Sequence, residues 1–266
     1  MMRSLYTAAS GMLTEQLNTD IISHNLANVN TTGYKKHRPN FQDLFYQTLQ
    51  EAGTPVTQGA SIPVPLQVGL GVRPVANLKL FMQGNLIQTD HKLDLAIADN
   101  IGGTSFFQIR LPNGDIAYTR DGSFKIDKDG SMVTSNGYFF EPAITFPDNT
   151  LDIVITEDGV VSVKLPNQTD PQEIGQINLV RFINPAGLDN IGDNLYVETA
   201  ASGPAIEGQP TLDGFGQVKQ RFLEQSNVQV VEEMVNLIVA QRAYEVSSKA
   251  IQTSDDMLGV ANNLKR

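Results

Sequence analysis

Residues able to do chemistry are few in this chain, and their spacing does not suit it. There is no cysteine, which removes thiol catalysis, disulfide frameworks, cysteine-held zinc and iron–sulfur ligation. The three histidines, His24, His37 and His91, are scattered, and a histidine metal cluster would need them to converge from unrelated segments. Asp127-Lys128-Asp129-Gly130 opens like a calcium loop. Tyr138 stands where that pattern needs its bidentate glutamate, so a hairpin turn is the expected reading. Gly69-Leu70-Gly71 runs into Val72-Arg73-Pro74, an extended context and not the helix start that cradles phosphate. No Gly-x-Ser-x-Gly elbow occurs. Carboxylates are plentiful in the middle of the chain, but most fall at turns, where Asp caps its own backbone. No catalytic residue, cofactor site or metal site is expected.

What remains must be carried by the scaffold. The chain has 266 residues, 41% hydrophobic and 18% charged, enough apolar material for a folded core. Its net charge of −10 argues against nucleic acid as a partner, because phosphate binding needs a basic face. The charge is unevenly spread. Residues 1–40 carry four basic against two acidic residues, residues 226–266 four against five, and the middle therefore holds −11. Thr7, Ser10 and Thr14 interrupt the first apolar run, so no cleaved signal peptide is expected. The longest uncharged stretch, Ala52 to Val72, contains Pro55, Pro63 and Pro65 and is not a transmembrane helix.

Residues 4–28 read as a helix with Ser4 as its N-cap. Leu5, Ala9, Leu13, Leu17 and Ile21 recur every four residues, and Ala8, Met12 and Ile22 widen the stripe. Gly11 lies inside it at a cost of about 1 kcal/mol relative to Ala, either tolerated or admitting a close helix. The C-terminal helix is longer, with a capping-box pattern at Ser226 to Gln229. Its seam runs Val230, Glu233, Leu237, Ala240, Tyr244, Ser247, Ile251, Ser254, Leu258 and Ala261, a narrow coiled-coil-like stripe that calls for a partner. The other terminal helix is the obvious one.

Between the helices, Asn113-Gly114, Asp121-Gly122, Asp129-Gly130, Asn136-Gly137 and Asp158-Gly159 alternate with short strand-forming runs. Such dipeptides signal hairpins with type I′ turns. The uncharged stretch suggests an extended arm laid on a neighbouring subunit, where missing charge avoids a desolvation cost. The fold class is thus α+β: two long terminal helices paired like a coiled coil, an arm, and a hairpin-rich all-β middle. The expected divisions are 1–40 (helix and capping turn), 41–70 (arm), 71–225 (β domain) and 226–266 (helix).

The segments at both ends carry a resemblance. His24-Asn25-Leu26-Ala27-Asn28-Val29-Asn30-Thr31-Thr32-Gly33-Tyr34-Lys35-Lys36 resembles the N-terminal signature of the bacterial flagellar rod and hook axial proteins. Ser226-Asn227-Val228, with Gln241-Arg242-Ala243-Tyr244-Glu245 further on, is similar to their C-terminal signature. Gly71-Val72-Arg73-Pro74, Gln83-Gly84-Asn85-Leu86 and Ala117 to Phe124 are similar to the distal rod members of that family. Two positions depart from the family: Asp99 to Ser105 is longer than its usual Gly-x-Gly, and Arg221 stands where a glycine tends to follow Gln220.

The resemblance implies a structural subunit that stacks into the hollow helical driveshaft of the distal rod, transmits torque to the hook and forms part of the export channel. It implies a place in the basal body, crossing the periplasm, and export unfolded through the flagellar type III apparatus. The implied partners are further copies of itself, proximal rod subunits, the hook protein or hook junction, and the surrounding rings, with no nucleic acid and no membrane insertion. The residues expected to matter are the helix seam (Leu5, Ala9, Met12, Leu13, Leu17, Ile21, Val230, Leu237, Ala240, Tyr244, Ile251, Leu258) and the matching motif positions Asn25, Leu26, Ala27, Asn28, Asn30, Gly33, Tyr34, Ser226, Asn227, Gln241, Arg242, Ala243 and Tyr244. Proximal rod or hook subunits are the alternatives within the family. Outside it, a secreted carbohydrate-active or adhesive β-domain with coiled-coil ends would share these features.

Overall fold

A computed structural model describes residues 2–53, 55–57, 60–61, 63–99, 104–166 and 171–263. The chain forms two compact units. One comprises Met1–Leu26, His37–Leu78 and Val230–Arg266; the other comprises Ala27–Lys36 and Lys79–Gln229.

The helical unit holds α1, Met2–Ala27, and α2, Val230–Asn263. Both starts differ from the sequence expectation. Ser4 lies inside α1 and meets Ser254 across the pair instead of capping. Ser226 precedes α2 by several residues, and its hydroxyl accepts from the Val228 amide, a local turn that keeps 226–229 out of the helix. Ser and Thr side chains inside α1 bond back to the preceding turn, as Thr14 does to the Ser10 carbonyl and Thr19 to that of Glu15.

The uncharged stretch does not run out as a single extended arm. Strand Leu66–Gly69 returns along Tyr46–Gln50, and Pro55–Thr57 pairs with Ala60–Ser61, so the chain doubles into a hairpin. An isolated strand would leave its whole row of backbone groups unpaired, and doubling back supplies partners from within. At its root, Leu44 N–H donates to the Gly71 carbonyl, and the Val72 amide donates to Ser10 Oγ on α1. Phe45 is 88% exposed and Tyr46 56%.

The β unit is built around strand Ser105–Arg110, buried along five of its six residues. It pairs antiparallel with Ile116–Thr119 on one side and Phe139–Glu141 on the other, while its first residues also meet Leu179–Arg181. Successive strand residues face opposite ways. Phe107 and Ile109 therefore enter a core with Leu95, Ile97, Phe140, Val161 and Leu179, whereas Phe106 enters a second core with Phe81, Tyr118, Phe182 and Tyr196. That the middle strand is apolar on both faces follows from this double burial.

Four of the five expected turns are hairpin tips, but none is type I′. In each, a residue accepts from a glycine amide three positions on and donates to the next residue's carbonyl: Leu111 with Gly114 and Asp115, Asp127 with Gly130 and Ser131, Thr134 with Gly137 and Tyr138, Thr156 with Gly159 and Val160. Only the glycines have positive φ, between 77° and 89°. This is a type I turn closed by a left-handed glycine, so the preceding Asn or Asp keeps an ordinary conformation. Asp127 to Gly130 is thus a turn. Asp121-Gly122 is not a tip at all: the Gly122 Cα lies against the Leu95 carbonyl with no room for a side chain.

Candidate functional site

In the helical unit, the two terminal helices lie antiparallel. Ser4 Oγ is 3.2 Å from Ser254 Oγ, a side chain on Gly11 would come 3.4 Å from Ser247 Oγ, and Asn25 Nδ2 donates to Glu233 Oε2 at 3.1 Å. The steps between these contacts are seven and fourteen residues on both helices. Gly11 is therefore a point of close approach, the sharper of its two sequence readings.

Of the expected seam on α2, Ala240 is buried, and Leu237, Ile251 and Leu258 are half-buried, while Val230 and Tyr244 are about 40% exposed. On α1, Ile21 is buried, and Leu5, Ala9 and Met12 are half-buried. Leu13 is 69% exposed and Leu17 37%. A strict four-residue repeat drifts by about 40° per step around a helix of 3.6 residues per turn, so the row from Leu5 to Ile21 cannot stay on one face. The buried positions are Thr14, Ile21, Ile22 and Asn25 instead. On α2 the face turned away from α1 is apolar near its start: Val231 is 76% exposed, Met234 52%, Val235 54%, Ile238 57% and Val239 61%.

Asn25 is the most connected motif residue of this unit. Its amide donates to the His37 carbonyl at 2.8 Å, and its Oδ1 accepts from the His37 amide at 2.9 Å, besides the bond to Glu233. Leu26 and Ala243 are half-buried, while Gln241 and Arg242 are exposed, with Arg242 paired to Glu245 at 2.9 Å. Gln241, Tyr244 and Glu245 line one side of a shallow groove, and Gln16, Thr19 and Asp20 the other.

The remaining motif residues belong to the β unit. Ala27 ends α1 and is exposed, as is Asn30, and Asn28 Oδ1 accepts from the Thr31 hydroxyl. Gly33 has φ +70°, and a side chain there would lie 2.8 Å from the Arg120 backbone. Its amide donates to the Glu224 carbonyl at 2.8 Å. Tyr34 and Ser226 are buried. Asn227 joins three backbone segments: Oδ1 accepts from the Lys36 amide at 2.7 Å, and Nδ2 donates to the carbonyls of Leu80 at 2.8 Å and Met82 at 3.1 Å.

Beside these residues lies a cluster that sequence reasoning missed. Lys35, Glu224, Arg120 and Asp99 have side chains no more than 2% exposed. Lys35 Nζ is 2.6 Å from Glu224 Oε1 and donates to the Met82 carbonyl at 2.9 Å. Arg120 reaches Glu224 Oε2 at 3.2 Å and pairs with Asp99. Glu224 Oε1 also accepts from the Gly84 amide, and Asp99 accepts from the Ser105 amide and hydroxyl. Burial, reinforced by Arg120, brings the Lys35 ammonium down to about 8 despite the two carboxylates. Burial works to raise Asp99, but Arg120 and the Ser105 bonds outweigh it and hold the carboxyl below its ordinary value. In the sequence Lys35, Arg120 and Asp99 lie in segments compared with the family, but nothing there joins them, and for Glu224 the signal is strand alternation. Glu224 ends a strand, Phe222-Leu223-Glu224, whose alternation places it on the same face as Phe222.

Arg221, flagged as a departure, lies between strands Gln217–Gln220 and Phe222–Glu224 with φ +63°. The left-handed residue lets the chain change partners from Leu95–Ala98 to Leu86–Gln88. The other departure falls partly outside the described residues, since 100–103 are not among them; Asp99 and Ser105 bracket that gap and bond to each other. Among the described residues, no helix is long and apolar enough to cross a membrane, and no group of three or more His, Asp or Glu could hold a metal ion.

The fold and these contacts define a class: a β unit on a chain whose two ends form an antiparallel helix pair with an apolar outer face. Three family models match the chain: the flagella basal body rod protein model over 5–35, the flagellar hook protein FlgE/F/G D1 domain over 100–163, and the flagellar basal body rod FlgEFG protein C-terminal over 219–264. The flagellar basal-body rod protein FlgG of Borreliella burgdorferi is 54% identical over the full length of both chains. That of Caulobacter vibrioides is 47% identical over 99% of this chain and all of its own, and that of Bacillus subtilis 40% over all of both. The chain belongs to the flagellar basal-body rod protein family, and it is a structural component of the flagellum.

Proposed function

We propose that the chain is the subunit of the distal rod, polymerising through its terminal helices into the hollow helical driveshaft that carries motor torque to the hook. The polymer crosses the periplasm, and its lumen serves as the export channel. Partners are further copies of the chain, proximal rod subunits at one end, the hook protein or hook junction at the other, and the rings around it. Delivery is by the flagellar type III apparatus. The chain works by assembling, with no catalytic step.

The observation that carries this reading is the outer face of α2. Val231, Met234, Val235, Ile238 and Val239 stay more than half exposed on a helix already paired through its other side. A large apolar side chain contributes about 1.5–3 kcal/mol when fully buried, so covering this face returns several kcal/mol toward the cost of association. A contact between this face and a different surface of the next copy is heterologous, and if it does not close it generates a helix. The heptad steps of the Ser4, Gly11 and Asn25 contacts support a coiled-coil-like inner seam.

Electron microscopy of the purified chain is the test. Helical rods are expected, and their loss in Val235→Asp. A chain that stays monomeric at high concentration but binds or clears glycans would favour the carbohydrate-active or adhesive reading instead.

A further inference from the structure

The four buried charges are costly to keep. Removing an ammonium, a guanidinium and two carboxylates from water carries a large desolvation cost, and apolar residues of similar volume often serve stability as well or better. Arg120 Nε finds no acceptor among the described residues, so the cluster is not even fully satisfied. Stability is a weak reason for it.

Alignment is a stronger one. Segment 33–36 continues back into α1, and segment 222–229 continues forward into α2. In an apolar site of the same size, neighbouring residues would compete for the position, because Tyr34 is buried beside Lys35 and Leu223 is half-buried beside Glu224. In strand Phe222–Glu224, paired with Leu86–Gln88, a one-residue slip would also turn Glu224 to the other face. Only one alignment puts Lys35 Nζ on both Glu224 and the Met82 carbonyl while Gly84 donates to the same carboxylate oxygen. The same alignment brings the Gly33 amide to the Glu224 carbonyl and the Lys36 amide to Asn227.

We propose that the Lys35–Glu224–Arg120–Asp99 cluster is a register lock. It holds segments 33–36 and 222–227 at a single alignment with one another and against 80–84 within the β unit. It does this at the expense of stability, as a single buried polar residue does in fixing coiled-coil register. Its link to assembly rests on the rod reading; the alignment itself does not.

The test uses the full chain with two charge-neutral double variants, Lys35→Met/Glu224→Met and Arg120→Met/Asp99→Met. Residue-resolved hydrogen exchange reads the alignment, and electron microscopy reads polymerisation. Each variant should keep wild-type protection at Phe107 and Ile109 and an equal or higher unfolding midpoint. Protection at Gly33 and Lys36 should fall at least tenfold, and rod yield with it. Unchanged protection at Gly33 and Lys36 would overturn the lock, and so would failure of both variants to fold, since that would make the charges a source of stability. Lost protection with normal rods would overturn the link to assembly. If the wild-type chain forms no rods, the rod reading fails, while the exchange pattern still decides the lock.

Discussion

Asn25 on α1 and Glu233 on α2 meet through a 3.1 Å hydrogen bond, and each residue is 1% exposed. Asn25 is bonded at the same time to both backbone groups of His37, at 2.8 and 2.9 Å. One amide therefore secures the end of α1, the start of α2 and the strand that begins at His37. Asn25→Ala removes a partner from the buried Glu233 carboxylate, at a cost of about 1–3 kcal/mol, and from the two part-buried backbone groups of His37, at less each. Urea unfolding followed by the helical circular dichroism signal should show that loss. Asn25→Asp should be at least as damaging, because the donor becomes a second carboxylate facing Glu233.

Two left-handed positions should respond in opposite directions. Arg221 holds φ +63° with a side chain, a conformation costing about 1–2 kcal/mol for any residue but glycine. Arg221→Gly should raise the urea midpoint at unchanged slope, a gain of about 0.5–1 kcal/mol in unfolding free energy after the added freedom of the unfolded chain is offset. Gly33→Ala adds a methyl group 2.8 Å from the Arg120 backbone at φ +70° and should lose more than that. Equal midpoints for Arg221→Gly and wild type would mean the strain is absorbed elsewhere.

Much of this was legible in local pattern, and the rest was not, for identifiable reasons. The helices showed in their apolar spacing, and four turns in their Asn-Gly and Asp-Gly pairs. Turn type was missed because one left-handed residue, not two, closes each hairpin. The face of α1 was misread because a four-residue row looks like a stripe over two turns and drifts off it over five. Lys35, Arg120, Glu224 and Asp99 were invisible because charge in a sequence reads as solvated surface. Their burial is set by backbones that meet only in three dimensions, at Gly33 and Gly84. Asn25, Gly33 and Asn227 could be named from family likeness, but not the bonds that explain them.

Lys35 gives the β unit a distinctive response to alkali. Its folded value of about 8 lies below the ordinary 10.5, so between those limits the unfolded chain holds more protons. Stability then rises with pH in that window as the cost of burying the charge is relieved. Unfolding free energies from pH 7 to 10.5 should carry this positive contribution in wild type and lose it in Lys35→Met. Asp99 acts at the other end. Its folded value is depressed, so its contribution is present above the ordinary 3.8 and is lost as pH falls through the lower folded value. Asp99→Asn should flatten the acid limb.

The last prediction is that the terminal helices gain most of their stability on assembly. α2 spans 34 residues, yet only Glu233, Ala240 and Ser254 are buried in the single chain, none of them large and apolar. Ordering its backbone costs about 1–2 kcal/mol per residue. Helical hydrogen bonds bring that near break-even, and only the apolar face can tip it. In the single chain that face is exposed: Val246 is 66% accessible, Met257 57% and Val260 59%. Amides across 241–258 should exchange quickly in dilute monomer and slow by orders of magnitude in rods, as coupled folding and binding requires. Val235→Asp and Ile238→Asp should abolish rods while changing the monomer's unfolding free energy by less than about 0.5 kcal/mol, as exposed substitutions do. Ala240→Asp, in the buried seam, should abolish rods as well, because the assembled pair has no room or solvent for the charge. Strong protection across 241–258 before assembly would show that the pair is stable by itself, and the coupling would have to be abandoned.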